Sequence, residues 1–299
     1  MAAIKTEFSE FVASDIKKYE GVRIPLKTSL FMRIFKRWTK CGNLHPNPDD
    51  EFCLPNVGPS YSIISDYEKR MKYAMERGDG PWDITDERIM VERMYPEGYM
   101  IINGHHRWAA ALRLGIKRVP IKILNLTHED DIINIIERSE NNKRAAIDLD
   151  DLIFVNEAEY PAEKKLPYLA DLRYNKKRIR LGFPALCRFL QSRGYDVWVF
   201  TSEFCSVDHI ESLLKRYHIT PDGIITASGR IEKTEENKKK RIREMMNKKY
   251  IRTITLYNDL MIVVNSQTGD SDQIPLEGLA NEWVMDIEKA VRGLEENEG

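Results

Sequence analysis

AAIDLD, at residues 145–150, is a short apolar run that ends in acidic residues. Such a run predicts a buried strand, and two later apolar runs also end in polar groups, VWVFTS at 197–202 and TLYND at 255–259. Amphipathic stretches, among them LGFPALCRFLQSRG and SVDHIESLLKRY, alternate with these strands. This alternation predicts an α/β fold with a mostly parallel sheet in the C-terminal half of the chain.

The polar residues that end these strands define a predicted site. Ligands of open parallel sheets bind at the carboxyl ends of the strands, so Asp148, Thr201 and Asp259 are expected to meet at one edge. Of two neighbouring carboxylates, one can attack phosphorus while the other moves a proton. Clustered carboxylates repel each other unless a divalent cation lies between them, and oxygen ligands favour Mg²⁺. A hydroxyl and an ammonium group would then hold the phosphoryl oxygens.

The stretches IDLDDL at 147–152, VWVFTS, the lysine run 238–240 and TLYND together resemble the haloacid dehalogenase (HAD) superfamily of phosphohydrolases. The resemblance implies a Rossmann-like domain, a phosphorylated substrate, Mg²⁺ as cofactor and an aspartyl-phosphate mechanism. The roles it implies are nucleophile for Asp148, general acid/base for Asp150, phosphoryl binding for Thr201 and Ser202, charge stabilisation for Lys238, and metal binding for Asp148, Asp150 and Asp259. Lys238 is favoured over Lys239 because Ile242 and Met245 follow it on the same helical face.

Two positions depart from the HAD pattern. Leu152 stands where that family usually has threonine, and LMIVV follows Asp259 where a second acid is usual. The departures leave open a degenerate, inactive HAD-like domain, or a metal site that uses Asp151 and backbone carbonyls. The segment between Asp150 and Gly182 is short and charged, which leaves room for a flap and not for a large cap domain.

A second candidate site lies in the N-terminal half, in the stretch NGHHRW at 103–108. The stretch is predicted to join a strand to a helix. Gly104 lets the backbone approach a ligand closely, and the free amides at a helix start attract phosphate. Arg107 can add a bidentate contact, so Gly104, His105, His106 and Arg107 form a predicted phosphate cradle.

The turn at Gly104–Arg107, the helix HHRWAAALRLG and the following strand KRVPIKI resemble the ParB/sulfiredoxin fold, an α+β domain. That superfamily includes partition proteins that bind nucleotide and DNA, sulfiredoxins, and a free-serine kinase. Histidines occupy the position of the sulfiredoxin cysteine, which disfavours that activity. The kinase alternative needs a carboxylate base, and Asp49, Asp50 or Glu51 could supply it. His105 could instead simply cap or pack at the helix start, and the apolar spacing favours a core position for Trp108.

Composition sets the wider expectations. The chain has 299 residues with 42% hydrophobic and 31% charged residues and a net charge of −1, which indicates two domains and does not favour a broad nucleic-acid surface. The predicted domains are 1–138, ParB/sulfiredoxin-like with an N-terminal docking helix, and 143–299, HAD-like. Four scattered cysteines predict reduced thiols in the cytoplasm. No apolar run reaches the length of a membrane span, so no membrane partner is expected.

MRIFKRWTK, at residues 32–40, reads as a short basic helix. Its cations, Lys36, Arg37 and Lys40, could touch nucleic acid beside Trp38, but the spacing favours a solvated helix face.

Three functions follow. The first is a HAD-like phosphohydrolase joined to a nucleotide-binding or phosphate-binding domain. The second is a ParB-like nucleotide-binding or DNA-binding regulator with a degenerate HAD domain. The third is a small-molecule kinase in the N-terminal domain that is opposed by a phosphatase in the C-terminal domain.

Overall fold

The computed structural model describes residues 2–54, 56–82, 88–156, 158–164, 177–231, 236–258, 260–276 and 282–296. Its contacts divide the chain into two compact units, Met1–Asn125 (unit 1) and Leu126–Gly299 (unit 2). The predicted linker at 139–142 lies instead inside unit 2. None of the described helices combines the length and the apolar character needed to cross a bilayer.

Unit 1 is a mixed α+β unit. Its helices are α1 (Ala2–Tyr19), α2 (Leu30–Phe35), α3 (Tyr61–Glu76) and α4 (His105–Arg113). Its strands are β1 (Ile24–Leu26), β2 (Trp38–Lys40), β3 (Leu44–His45), β4 (Ile89–Tyr95), β5 (Tyr99–Asn103) and β6 (Arg118–Ile123), in the sheet order β2-β6-β4-β5-β3 with β1 on β4. Phe8 and Val12 of α1 are buried in the same core as Trp108, as the predicted docking helix requires.

The predicted basic helix at 32–40 is only partly correct. Helix α2 ends at Phe35, and Trp38–Lys40 forms β2, which pairs antiparallel with β6. The pairing of Trp38 with Pro120 and of Lys40 with Arg118 draws this segment out of the helix. Helix α2 itself has no buried residue, although five of its six side chains are apolar.

Unit 2 contains helices α5 (Glu129–Arg138), α6 (Phe183–Ser192), α7 (Val207–Lys215), α8 (Ser228–Ile231), α9 (Glu236–Lys249) and α10 (Trp283–Glu296). Its strands are β7 (Lys143–Asp148), β8 (Phe154–Val155), β9 (Arg178–Ile179), β10 (Tyr195–Thr201), β11 (Gly223–Thr226), β12 (Arg252–Tyr257), β13 (Leu260–Asn265) and β14 (Ser271–Pro275). The main sheet has the order β11-β10-β7-β12-β13-β14. Strands β11, β10, β7 and β12 are parallel, as predicted, and β13 and β14 add an antiparallel edge.

Alternating side chains of this sheet are buried on both of its faces. Val197 and Val199 belong to the large core that contains the buried side chains of α6, α7 and α10. Trp198, between them, belongs to a second cluster with Ile132 and Ile136 of α5. Because neighbouring side chains of a strand point to opposite faces, the sheet lies between two helical layers. Helix α5 therefore packs within unit 2.

Candidate functional sites

The register of the parallel strands places the predicted residues of unit 2 at one edge of the sheet. Strand β7 lies between β10 and β12, with Asp148 opposite Phe200 and Ile147 opposite Leu256. Asp148 therefore ends its strand one position from Thr201, which ends β10. Asp259 lies outside the described residues.

Asp148 turns the chain at this edge. Its Oδ1 accepts hydrogen bonds from the backbone amides of Asp150 at 2.7 Å and Asp151 at 3.2 Å, which begins a π-helical turn at Leu149–Ile153. The side chain is buried, and burial raises the pKa of the Asp148 carboxyl although the two amides act to lower it. Among the described residues nothing hydrogen-bonds its Oδ2.

Asp150 is held by the hydroxyl groups of the neighbouring strand. Its Oδ1 accepts a hydrogen bond from Thr201 Oγ1 at 2.7 Å, and its Oδ2 accepts from the Ser202 amide at 2.7 Å and from Ser202 Oγ at 2.8 Å. Four residues singled out from sequence, Asp148, Asp150, Thr201 and Ser202, thus lie together. In this state the Thr201 hydroxyl donates to Asp150, so it must exchange that partner to bind a phosphoryl group.

Lys177, a lysine not predicted from the sequence, lies at this edge. Lys177 Nζ lies 2.6 Å from Glu203 Oε1 and 4.0 Å from Asp150 Oδ1, and it stands 4.3 Å from the centre of the Phe154 ring. The antiparallel pairing of β8 with β9 brings it there from a distant part of the chain. Lys238 lies 3.7 Å from Glu129 Oε2, with a largely exposed side chain.

Side chains at the positions that depart from the HAD pattern are buried in the core of unit 2. Leu152 is buried among the side chains of α6 and β10, and Met261 and Val263 of LMIVV are buried as part of β13. Within the described ranges, no group of three or more histidine, cysteine, aspartate or glutamate side chains is arranged to hold a metal ion. Asp148 and Asp150 offer carboxylate oxygens, the donors that suit Mg²⁺.

The second candidate site is the start of α4 in unit 1. Gly104 is the N-cap, with a φ of 103° that disfavours any residue with a side chain. A Cβ at this position would lie 3.1 Å from Arg107 Nη2. Arg107 is buried, and its Nη2 donates to Asn103 Oδ1 at 3.2 Å. The guanidinium group therefore lies directly against the turn that presents the first backbone amides of the helix.

Both histidines of the turn act as hydrogen-bond acceptors. His105 Nε2 accepts from the Asn47 amide at 3.1 Å, and His106 Nε2 accepts from the Ser60 amide at 3.2 Å. Burial lowers the pKa of His105 to about 4 and also lowers that of His106, while Asp50 acts in the opposite direction on each. The neutral rings thus fix the loops that precede α4 and add no positive charge to the cradle.

The structure gives different partners to two of the three acids left open from sequence, Asp49 and Asp50. Asp50 Oδ1 lies 3.5 Å from His105 Nδ1 and also accepts the Phe52 amide at 3.0 Å. Asp49 pairs instead with Arg23 at 3.3 Å. The Phe52 ring stacks on His105 with centroids 5.3 Å apart. Asp50 therefore lies next to the turn.

Comparison with known proteins supports the ParB-like resemblance over part of the chain, which begins in unit 1 and ends in unit 2. Residues 85–139 match the family described as the ParB N-terminal domain, which confirms the likeness expected from the turn at Gly104–Arg107. Among solved structures, the chain is similar to the C-terminally truncated chromosome-partitioning protein ParB from Caulobacter crescentus complexed with CTP-γ-S. Identity is 26% over 36% of this chain and 55% of that chain, with a TM-score of 0.24. The chain thus matches about half the length of that structure. No curated protein matches it.

Proposed function

We propose that unit 1 binds a nucleotide, with a phosphate group of the ligand held at the start of α4. The observation that carries the proposal is the turn itself: Gly104 at positive φ, with the buried guanidinium of Arg107 against it, inside the ParB-like segment. The first amides of a helix have no intrahelical partner and carry partial positive charge, which suits an anion. The near-neutral net charge of the chain makes nucleotide a better ligand than DNA.

The test is equilibrium binding of CTP and ATP by titration calorimetry. We expect Arg107→Lys to weaken binding by about tenfold, because lysine keeps the charge and loses the planar fork. Arg113→Lys is the matched control, since Arg113 lies at the other end of α4 and pairs with Glu68. Equal affinity of wild type and both variants, or no binding by the wild-type protein, would reject the proposal.

A second candidate function, a Mg²⁺-dependent HAD-type phosphohydrolase in unit 2, is favoured by the approach of Asp148, Asp150, Thr201 and Ser202 at one sheet edge. Asp148 would attack phosphorus, and Asp150 would protonate the leaving oxygen and then activate water. Mg²⁺, when bound, would neutralise charge on the phosphoryl oxygens, with Asp148, Asp150 and Asp259 as its ligands. The Oδ2 of Asp148, which has no hydrogen-bond partner among the described residues, is compatible with this role.

Phosphate release from para-nitrophenyl phosphate, with Mg²⁺ and with EDTA, tests the second function. We expect Asp148→Asn to abolish release, since an amide cannot form the aspartyl-phosphate. Asp272→Asn, at an exposed position on β14, is the matched control and should keep full activity. Turnover that survives in Asp148→Asn would reject the aspartyl-phosphate mechanism. Absence of turnover in the wild-type protein with Mg²⁺ would favour a degenerate domain.

A further inference from the structure

The most exposed apolar surface of the described residues lies on α2 and the start of β2. Phe31 and Phe35 are 68% and 67% exposed, and their rings lie 4.5 Å apart. The surface, called here the α2 patch, comprises Leu30, Phe31, Met32, Ile34, Phe35 and Trp38. Clustered apolar side chains are costly to keep in water, so such a patch usually marks a binding surface.

The segment of sequence that carries the patch has charges of one sign, although its Arg23 pairs with Asp49. Residues 21–48 contain no aspartate or glutamate, in a chain whose net charge is −1. The same segment contains six cationic residues, Arg23, Lys27, Arg33, Lys36, Arg37 and Lys40. The occupant must therefore offer an apolar interior together with negative charge.

We propose that the α2 patch docks on an anionic membrane surface. Aromatic and aliphatic side chains can enter the boundary between headgroups and acyl chains, while the surrounding lysines and arginines pair with anionic headgroups. Lysine and arginine can keep their charged ends in the headgroup layer while their stems lie along apolar surface.

Other occupants fit the patch less well. Nucleic acid would pair with the cations and could stack on Phe31, Phe35 and Trp38. It would not bury the aliphatic side chains of Leu30 and Ile34. A second copy of the chain would bring two cationic rims together, which like-charge repulsion opposes. Six residues of helix are too short to span a bilayer, so the contact would be superficial and reversible.

The test is co-sedimentation of the full chain with vesicles of phosphatidylcholine alone or mixed with phosphatidylserine. We expect binding to the mixed vesicles that weakens as salt is raised. The double variant Phe31→Ser/Phe35→Ser should lose about tenfold or more in partitioning, because two large apolar side chains no longer enter the lipid. Lys36→Glu/Lys40→Glu should lose a comparable factor on the anionic vesicles.

Matched controls make the same chemical changes elsewhere. Met285→Ser removes a side chain that is 67% exposed on α10, and Lys240→Glu/Lys248→Glu reverses charges on the exposed side of α9. Both should bind vesicles as the wild type does. Three results would overturn the proposal: no binding by the wild-type chain, equal binding by all variants, or duplex DNA binding that is tighter than vesicle binding and unchanged by Phe31→Ser/Phe35→Ser. Dimers that dissociate in that variant, without vesicle binding, would instead indicate self-association.

Discussion

His105 shows how one buried residue couples the candidate ligand site of unit 1 to its stability. The ring accepts the Asn47 amide on Nε2, so the proton of the neutral ring lies on Nδ1, towards Asp50. A charged ring could no longer accept that amide. The same residue thus holds the 47–52 loop and limits the pH range in which the loop is held.

The pH dependence of unit 1 follows from this histidine. The unfolded chain takes up a proton at His105 near pH 6.5, whereas burial keeps the folded ring neutral down to about 4. The contribution of His105 to the free energy of unfolding is therefore fully present above pH 6.5. It is lost as the pH falls towards 4, by up to about 1.4 kcal/mol per pH unit. We expect His105→Gln, which keeps an acceptor, to flatten this part of the profile in urea unfolding followed from pH 7.5 to 4.5.

His218→Gln, a change at an exposed histidine, is the control and should leave the profile as in the wild type. Equal slopes for wild type and His105→Gln would contradict the prediction.

At single positions, the sequence predicts which residues belong to a site better than it predicts which side chains contact them. Asp148, Asp150 and Thr201 could be named because strand ends in a parallel sheet share an edge. Lys177 could not, since its place beside Asp150 depends on the antiparallel pairing of β8 with β9. Neither could Asp50 be chosen over its neighbours, because a hydrogen bond to the Phe52 amide and the approach of His105 distinguish it only in three dimensions.

Among the elements, α5 shows that the predicted end of a domain and the boundary of a compact unit can differ. Its apolar positions predict the helix, and the polar residues after it look like a linker. Ile132 and Ile136 nevertheless pack with Trp198 and Tyr250, and α9 lies against α5. Periodicity shows which face of a helix is apolar, and it does not show which partner covers that face. Helix α2 is the converse case, since nothing in its composition reveals that its apolar side chains stay exposed.

The assignment of α5 can be tested by truncating one of its buried side chains. Ile136 is 3% exposed, so Ile136→Ala should cost about 2–4 kcal/mol of the free energy of unfolding of unit 2. Hydrogen exchange read by mass spectrometry should show faster exchange in β7 and β10, with β4, β5 and β6 unchanged. Ile63→Ala, at a position that is 44% exposed, should change stability by less than about 0.5 kcal/mol. Faster exchange confined to the strands of unit 1 would contradict the packing of α5 in unit 2 and would show that it stabilises unit 1.

At the scale of the whole molecule, each unit has its own clusters of buried side chains among the described residues. The buried cluster of unit 1 lies within residues 8–123, and the two clusters of unit 2 lie within 132–291. The alternation of strands and helices after residue 143 predicts the second fold well, because each parallel strand needs a crossover helix. The alternation does not predict the edge strands β13 and β14, because they follow β12 as antiparallel hairpins with no helix between them.

Because the residues of each proposed site lie within one unit, we expect each ligand to stabilise that unit. A ligand present at a hundredfold excess over its Kd stabilises the state it binds by about 2.7 kcal/mol. We expect Mg²⁺ with inorganic phosphate to slow exchange of the Asp150 and Asp151 amides, which Asp148 holds, and to leave the start of α4 unchanged. CTP should protect residues 104–108 and leave unit 2 unchanged. Asp148→Asn should remove the first effect alone and Arg107→Lys should weaken the second alone, and protection by one ligand in both units would contradict separate sites.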